Sequence, residues 1–140
     1  MRPLVLIIED EVDAADVLSL VLEHWGYDTV VCHDGLQGYQ LAVSMLPDIV
    51  LSDYNMPLMN GVELADKLSR EPFTKSIPFI LITARYETIH AIVNDGLTAV
   101  VKKPFDLKLL QEILAGIPLS TKARTSSLSS FAPEKLKEED

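Results

Sequence analysis

Five short apolar runs recur along this chain of 140 residues, at Leu4–Ile8, 27–32, 49–51, 77–82 and 99–101, each rich in Val, Ile and Leu. Strands with one wet face alternate apolar and polar residues. Near-continuous runs suit strands covered on both faces, as in a parallel sheet flanked by helices. Parallel strands need crossovers, and helical patterns stand between the runs.

The first such pattern places Ala14, Val17, Leu18, Val21, Leu22 and Trp25 at intervals of three and four, with Gly26 to stop it. These six are expected to form the face packed on the sheet. Asp34 caps a second helix running through Leu46, which Pro47 ends, and Asn60 caps a third containing Val62, Leu64, Ala65 and Leu68. A shorter, weaker pattern spans residues 87–94. Asp106 caps the last helix, with Leu107, Leu110, Ile113 and Leu114 on one face and Gly116 and Pro118 after it. Strand and helix alternate five times, which predicts an α/β fold with a doubly wound, five-stranded parallel sheet. The order 2-1-3-4-5 fits five units. Its binding crevice lies at the carboxyl ends of the strands, between strands one and three.

Composition narrows the function. With 48% hydrophobic residues the chain can bury the core of one ordinary domain. No apolar run is long enough to span a bilayer, and the acidic Glu9-Asp10-Glu11 arrives before a signal-type segment can develop, so a cytoplasmic location without membrane contact is expected. Cys32 has no second cysteine to pair with and reads as strand packing. His24, His33 and His90 lack metal-ligand spacing and read as surface or capping residues. The net charge is −9, and residues 119–140 contribute none of it, because Lys122, Arg124, Lys135 and Lys137 balance Glu134, Glu138, Glu139 and Asp140. Such a surface repels phosphate backbones, and no direct nucleic-acid contact is expected. The composition turns to Ser, Thr, Ala and Lys near Ser120. Residues 1–118 therefore read as one domain and 119–140 as a Ser/Thr-rich and charged tail or linker.

The chemistry gathers at the strand ends. Asp53 closes the third run, Glu9 and Asp10 follow the first, Thr83 and Ala84 follow the fourth, and Lys103 follows the fifth. Three neighbouring carboxylates do not all stay ionised cheaply without a cation. An oxygen-only set favours Mg²⁺, with Mn²⁺ as the alternative. Asp10 and Asp53 would bind it directly, Glu9 through water, and Asn55 through its backbone carbonyl. A carboxylate is also a nucleophile toward phosphorus once cations neutralise the transferring group, and Lys103 would be the second cation. The Thr83 hydroxyl can bond a phosphoryl oxygen, and Ala84 leaves room to approach.

The combination of Ile7-Ile8-Glu9-Asp10-Glu11, Pro47-Asp48-Ile49-Val50-Leu51-Ser52-Asp53, Met56-Pro57-Leu58-Met59-Asn60-Gly61, Leu81-Ile82-Thr83-Ala84 and Lys103-Pro104-Phe105 resembles the receiver domain of two-component and phosphorelay response regulators. The likeness runs from Leu4 to about Ile117 and implies a flavodoxin-like (βα)5 fold. It implies that Asp53 accepts a phosphoryl group from a histidine kinase or phosphotransfer protein docking near the first helix. By the same resemblance Glu9 and Asp10 are the metal pair, Thr83 the switch hydroxyl, Lys103 the phosphate-contacting lysine, and Lys103-Pro104 a cis bond. Lys102, on the opposite side of the strand, is the alternative lysine. The implied output is protein–protein contact, or a homodimer, through the face of the weak fourth helix, the fifth strand and the last helix.

Two residues depart from the family pattern: Glu9 stands where Asp is commoner, and Val100 where many members carry an inward-turning Tyr or Phe. Other readings stay open. An aspartate-nucleophile phosphatase uses similar parts, but there a second aspartate follows the nucleophile by two residues, and here that position is Asn55, which is no acid or base. A constitutive interaction module is the third reading. In the leading one the chain is no enzyme beyond its own phosphorylation and slow dephosphorylation. Ser52, on the opposite side from Asp53, reads as structural.

Overall fold

The computed structural model describes residues 2–85 and 96–119, and the weak helical pattern at 87–94, His90 and the tail from Ser120 lie outside them. The described elements are β1 Leu4–Ile8, α1 Val12–His24, β2 Asp28–Cys32, α2 Gly35–Met45, β3 Ile49–Asp53, α3 Gly61–Ser69, β4 Phe79–Thr83, β5 Ala99–Lys102 and α4 Leu107–Ala115. All strand pairs are parallel, in the order β2-β1-β3-β4-β5. This is the expected flavodoxin-like sheet.

Strand alternation divides the apolar residues between two cores. Val5, Ile7, Ile49, Leu51, Ile80, Ile82 and Val101 face Leu18 and Leu22 of α1 and Leu110 and Leu114 of α4. Leu6, Ile8, Val50, Phe79 and Leu81 face Ala42 of α2 and Leu64, Ala65 and Leu68 of α3. Burial on both sides explains why the strands read as unbroken apolar runs. Cys32 is buried in the second core, as a packing residue.

The predicted caps form. Asp34 accepts from the Gln37 amide, Asp106 from the Lys108 amide, and Asn60 and Glu63 make a reciprocal capping box. Glu11 precedes α1 without a side-chain cap bond, so the acidic cluster does not act as that helix's cap through Glu11.

Some expectations need correction. The α1 face buried on the sheet is Ala15, Leu18 and Leu22, while Val17 is 56% exposed. Apolar residues run almost all round this helix, from Val12 to Trp25, and periodicity alone picks no single stripe. Leu107 of α4 is likewise exposed, with Leu110 and Leu114 buried. β2 starts at Asp28, after Tyr27 has bonded back to Leu22 O. β4 starts at Phe79 because Ile77 closes a turn onto Thr74 O and Pro78 has no amide to give. β3 extends past Leu51 to Asp53, since β4 continues beside it with Asp53 opposite Ile82. Among the described residues no helix is long and apolar enough to cross a membrane.

Candidate functional site

The strands that carry the predicted residues end at one edge of the sheet. Glu9, Asp10 and Asp53 each offer a carboxylate oxygen, all within 4.8 Å of one another. Glu9 and Asp53 are buried and Asp10 is exposed. Lys103 Nζ lies 3.0 Å from Asp53 Oδ1 and 3.8 Å from Glu9 Oε1. The peptide bond from Lys103 to Pro104 is cis. Lys102 pairs in register with Thr83 and is exposed, so the lysine at the carboxylates is Lys103.

Burial chiefly pushes the Glu9 carboxyl above its ordinary value of 4.5; the nearby Asp53 and Asp10 add to this, while the Glu11 amide and Lys103 pull the other way. The Glu11 N–H donates to Glu9 Oε2 at 3.1 Å. For Lys103 the largest influence is burial, which disfavours its charge, yet the hydrogen bond and charge of Asp53, with Glu9 and Glu11, together raise its pKa. The lysine stays a cation because it is surrounded by acids.

Thr83 ends β4 one residue beyond the partner of Asp53, and its side chain is buried. Its Oγ1 accepts from the Arg85 N–H at 2.9 Å. Ala84 is exposed beside it, and Asn55 sits exposed on the loop leaving β3. Glu9, Asp10, Asp53 and Lys103 thus form one contact cluster, with Thr83 on the adjacent strand end and Asn55 on the adjoining loop. The family model of the response regulator receiver domain matches residues 5–115.

The chain belongs to the response regulator receiver family.

A curated relative, the DNA-binding dual master transcriptional regulator RpaA of Synechocystis sp., is 33% identical over 117 residues, covering 82% of this chain and 47% of that protein. The chain spans about half the length of the curated relatives it matches. Among solved structures it is similar to the chemotaxis response regulator CheY4 of Vibrio cholerae, with 27% identity, TM-score 0.72, and 81% and 99% of the two chains covered. It shares its fold with the receiver domain of the sensor histidine kinase PA1611 of Pseudomonas aeruginosa PAO1, at 24% identity, TM-score 0.75 and coverage of 81% and 95%. That receiver was crystallised with a magnesium ion coordinated in its active site cleft. Receiver domains are signalling switches of two-component systems rather than classical enzymes.

The donor set in this receiver suits a hard divalent cation. It contains only oxygen, one member is exposed to exchange with solvent, and no sulfur or imidazole enters the cluster.

Several contributors were not legible in the sequence. His33 was read as surface or capping, but its Nδ1 lies 2.8 Å from the carbonyl oxygen of Glu9. The Ile8↔Cys32 register pair places His33 opposite Glu9, a pairing defined by the folded sheet and not by residue type. The Arg85 guanidinium lies over the Tyr54 ring, 5.5 Å from its centroid, joining the residues that follow Asp53 and Thr83. A Cβ at Gly61 would come within 2.5 Å of the Asp53 carbonyl oxygen, so the start of α3 can approach the site only without a side chain.

Proposed function

We propose that this receiver is a phosphoacceptor switch, phosphorylated on Asp53 by a histidine kinase or phosphotransfer protein in a Mg²⁺-dependent reaction. The observation that carries the reading is the placement of Lys103 Nζ 3.0 Å from Asp53 Oδ1, inside a cluster that also holds Glu9 and Asp10. In the transfer an Asp53 oxygen forms a bond to phosphorus as the bond to the donor imidazole nitrogen breaks, and the imidazole leaves with its electron pair and takes up a proton. Lys103 offsets charge on the phosphoryl oxygens, and the Thr83 hydroxyl donates to one of them. Asp10, Asp53 and the Asn55 carbonyl would hold Mg²⁺, or Mn²⁺, with Glu9 acting through water; the cation supplies charge neutralisation to the transferring group. Asn55 provides no general acid or base, so the acyl phosphate persists long enough to signal.

Residues 1–118 form the receiver unit in this proposal and 119–140 a tail or linker, in a cytoplasmic protein. The donor docks beside α1. The output is a protein partner or a second copy reading the face of β5 and α4. Val100, half-buried in β5, carries no ring to rotate, so coupling through an inward-turning ring is replaced by a weaker or different route. The acidic balance supports an output without direct nucleic-acid contact by this chain.

Incubation with acetyl phosphate in Mg²⁺ or in EDTA, followed by intact mass, tests the proposal. A single phosphate-sized increase that requires Mg²⁺ supports it. No increase in Mg²⁺ refutes it.

A further inference from the structure

We propose that Ser52 is a positioning residue for the cation and phosphoryl site, acting through the peptide that joins Asp53 to Tyr54. The inference rests on reading Asp53 as the phosphoacceptor and names the group that orients it.

The Tyr54 N–H bonds Ile82 O on the β4 side at 2.9 Å. Backbone groups of successive strand residues point to opposite neighbours, so the Asp53 carbonyl turns toward β1. There the ladder has already ended, since the last β1–β3 register pair is Ile8↔Ser52. A buried carbonyl beyond the end of its ladder needs another donor. Ser52 supplies it: the side chain is fully buried, and Oγ lies 2.8 Å from the Asp53 carbonyl oxygen and 3.7 Å from Met56 Sδ.

The same carbonyl is confined from a second direction by Gly61, where any Cβ would collide with it. The Gly61 N–H donates to Tyr54 O at 2.8 Å. The loop after β3 is thereby tied at its start by Ser52 and at its end by Gly61, and Asn55 lies between the two ties. The Asp53 to Tyr54 peptide plane sets both the direction of the Asp53 carboxylate and the path of the chain into Asn55. Removing the hydroxyl orphans the carbonyl, and rotation of that plane relieves it at the expense of both ligand positions.

The test compares wild type, Ser52→Ala and the near-isosteric Ser52→Cys. Three quantities are read: Mg²⁺ affinity by titration calorimetry, amide NMR shifts of Tyr54, Asn55 and Gly61, and thermal unfolding in EDTA. Ser52→Ala is expected to bind Mg²⁺ about tenfold more weakly, in line with the effect of losing a group that orients a metal ligand, with shifts at all three amides. Ser52→Cys, whose thiol is a weak donor, should recover part of that loss at temperatures where every variant is folded. Affinities within about twofold of wild type in both variants would overturn the inference and leave Ser52 a packing residue. Should Ser52→Ala not fold, Ser52→Cys decides alone: weaker binding supports the proposal and wild-type binding overturns it. A wild-type protein that neither binds Mg²⁺ nor gains phosphate from acetyl phosphate would instead refute the phosphoacceptor reading, and the role of Ser52 with it.

Discussion

β3 and β5 both deliver a charged residue to the same cluster, but the two strands are held very differently. β3 pairs with β1 on one side and β4 on the other, and all five of its residues are buried. Among the described residues β5 pairs only with β4, and Val101 alone among its four residues is buried. Asp53 therefore sits on a strand whose position is fixed from both sides, with Ser52 and Gly61 holding the peptide beyond it. Lys103 follows an edge strand, tied to β4 by its amide at 2.9 Å from Thr83 O. In the proposed function, a nucleophile on a rigid strand and a cation on a less confined one would let phosphate on Asp53 draw Lys103 and β5 toward itself without disturbing the acceptor.

The strongest challenge to that contrast is Lys103→Met, which removes the charge and keeps the apolar stem. Phosphorylation by acetyl phosphate should slow by about 10²-fold or more, as on loss of one charge-stabilising donor, while Mg²⁺ binding survives. Loss of both would show that the β5 side also builds the metal site. Mg²⁺ itself should raise the unfolding temperature, adding about 2.7 kcal/mol at roughly a hundred times its dissociation constant. Asp10→Asn should abolish most of that gain. The carboxylate it replaces is exposed, so stability in EDTA should hardly change.

Packing is compared most cleanly with one residue type on the two strands. Val50→Ala, at a position with no exposure, is expected to cost about 2 kcal/mol by urea unfolding. Val100→Ala, half-buried on β5, is expected to cost less than about 1 kcal/mol. Equal costs would remove the rigid-and-adjustable distinction. The smallest effect concerns Glu9. Burial first, then its acidic neighbours, raise its pKa in the folded protein, so the folded state binds that proton more tightly than the unfolded chain does. Its contribution to stability is fully present below the ordinary value of 4.5 and is lost as pH rises through the raised folded value. In EDTA the urea midpoint of wild type should fall across that window relative to Glu9→Gln. Parallel curves would contradict the raised pKa.

The five strands were legible because both faces of the sheet are covered, which leaves unbroken runs of Val, Ile and Leu. Their ends were not. Ser52 and Asp53 are polar and still belong to β3, because the neighbouring strand fixes the backbone whatever the side chains are. The buried stripe of α1 was misread because its sequence is apolar nearly all round, and only contact with the sheet selects Ala15, Leu18 and Leu22. In the site, the charged residues at the strand ends could be picked out by type and spacing, and the structure gathers Glu9, Asp10, Asp53 and Lys103 within contact distance. Ser52 and His33 could not be picked out in that way. Each acts on a backbone carbonyl, of Asp53 and Glu9 respectively, and a carbonyl's need for a partner depends on where a ladder ends rather than on residue type.

The central claim is that Asp53 alone takes the phosphoryl group. Treatment with acetyl phosphate and Mg²⁺, reductive trapping of the acyl phosphate with borohydride, and peptide mapping by mass spectrometry test it directly. The predicted result is one reduced residue, at Asp53, absent from Asp53→Asn; a trapped product at Asp10 or Glu9, or the same product in Asp53→Asn, would contradict it.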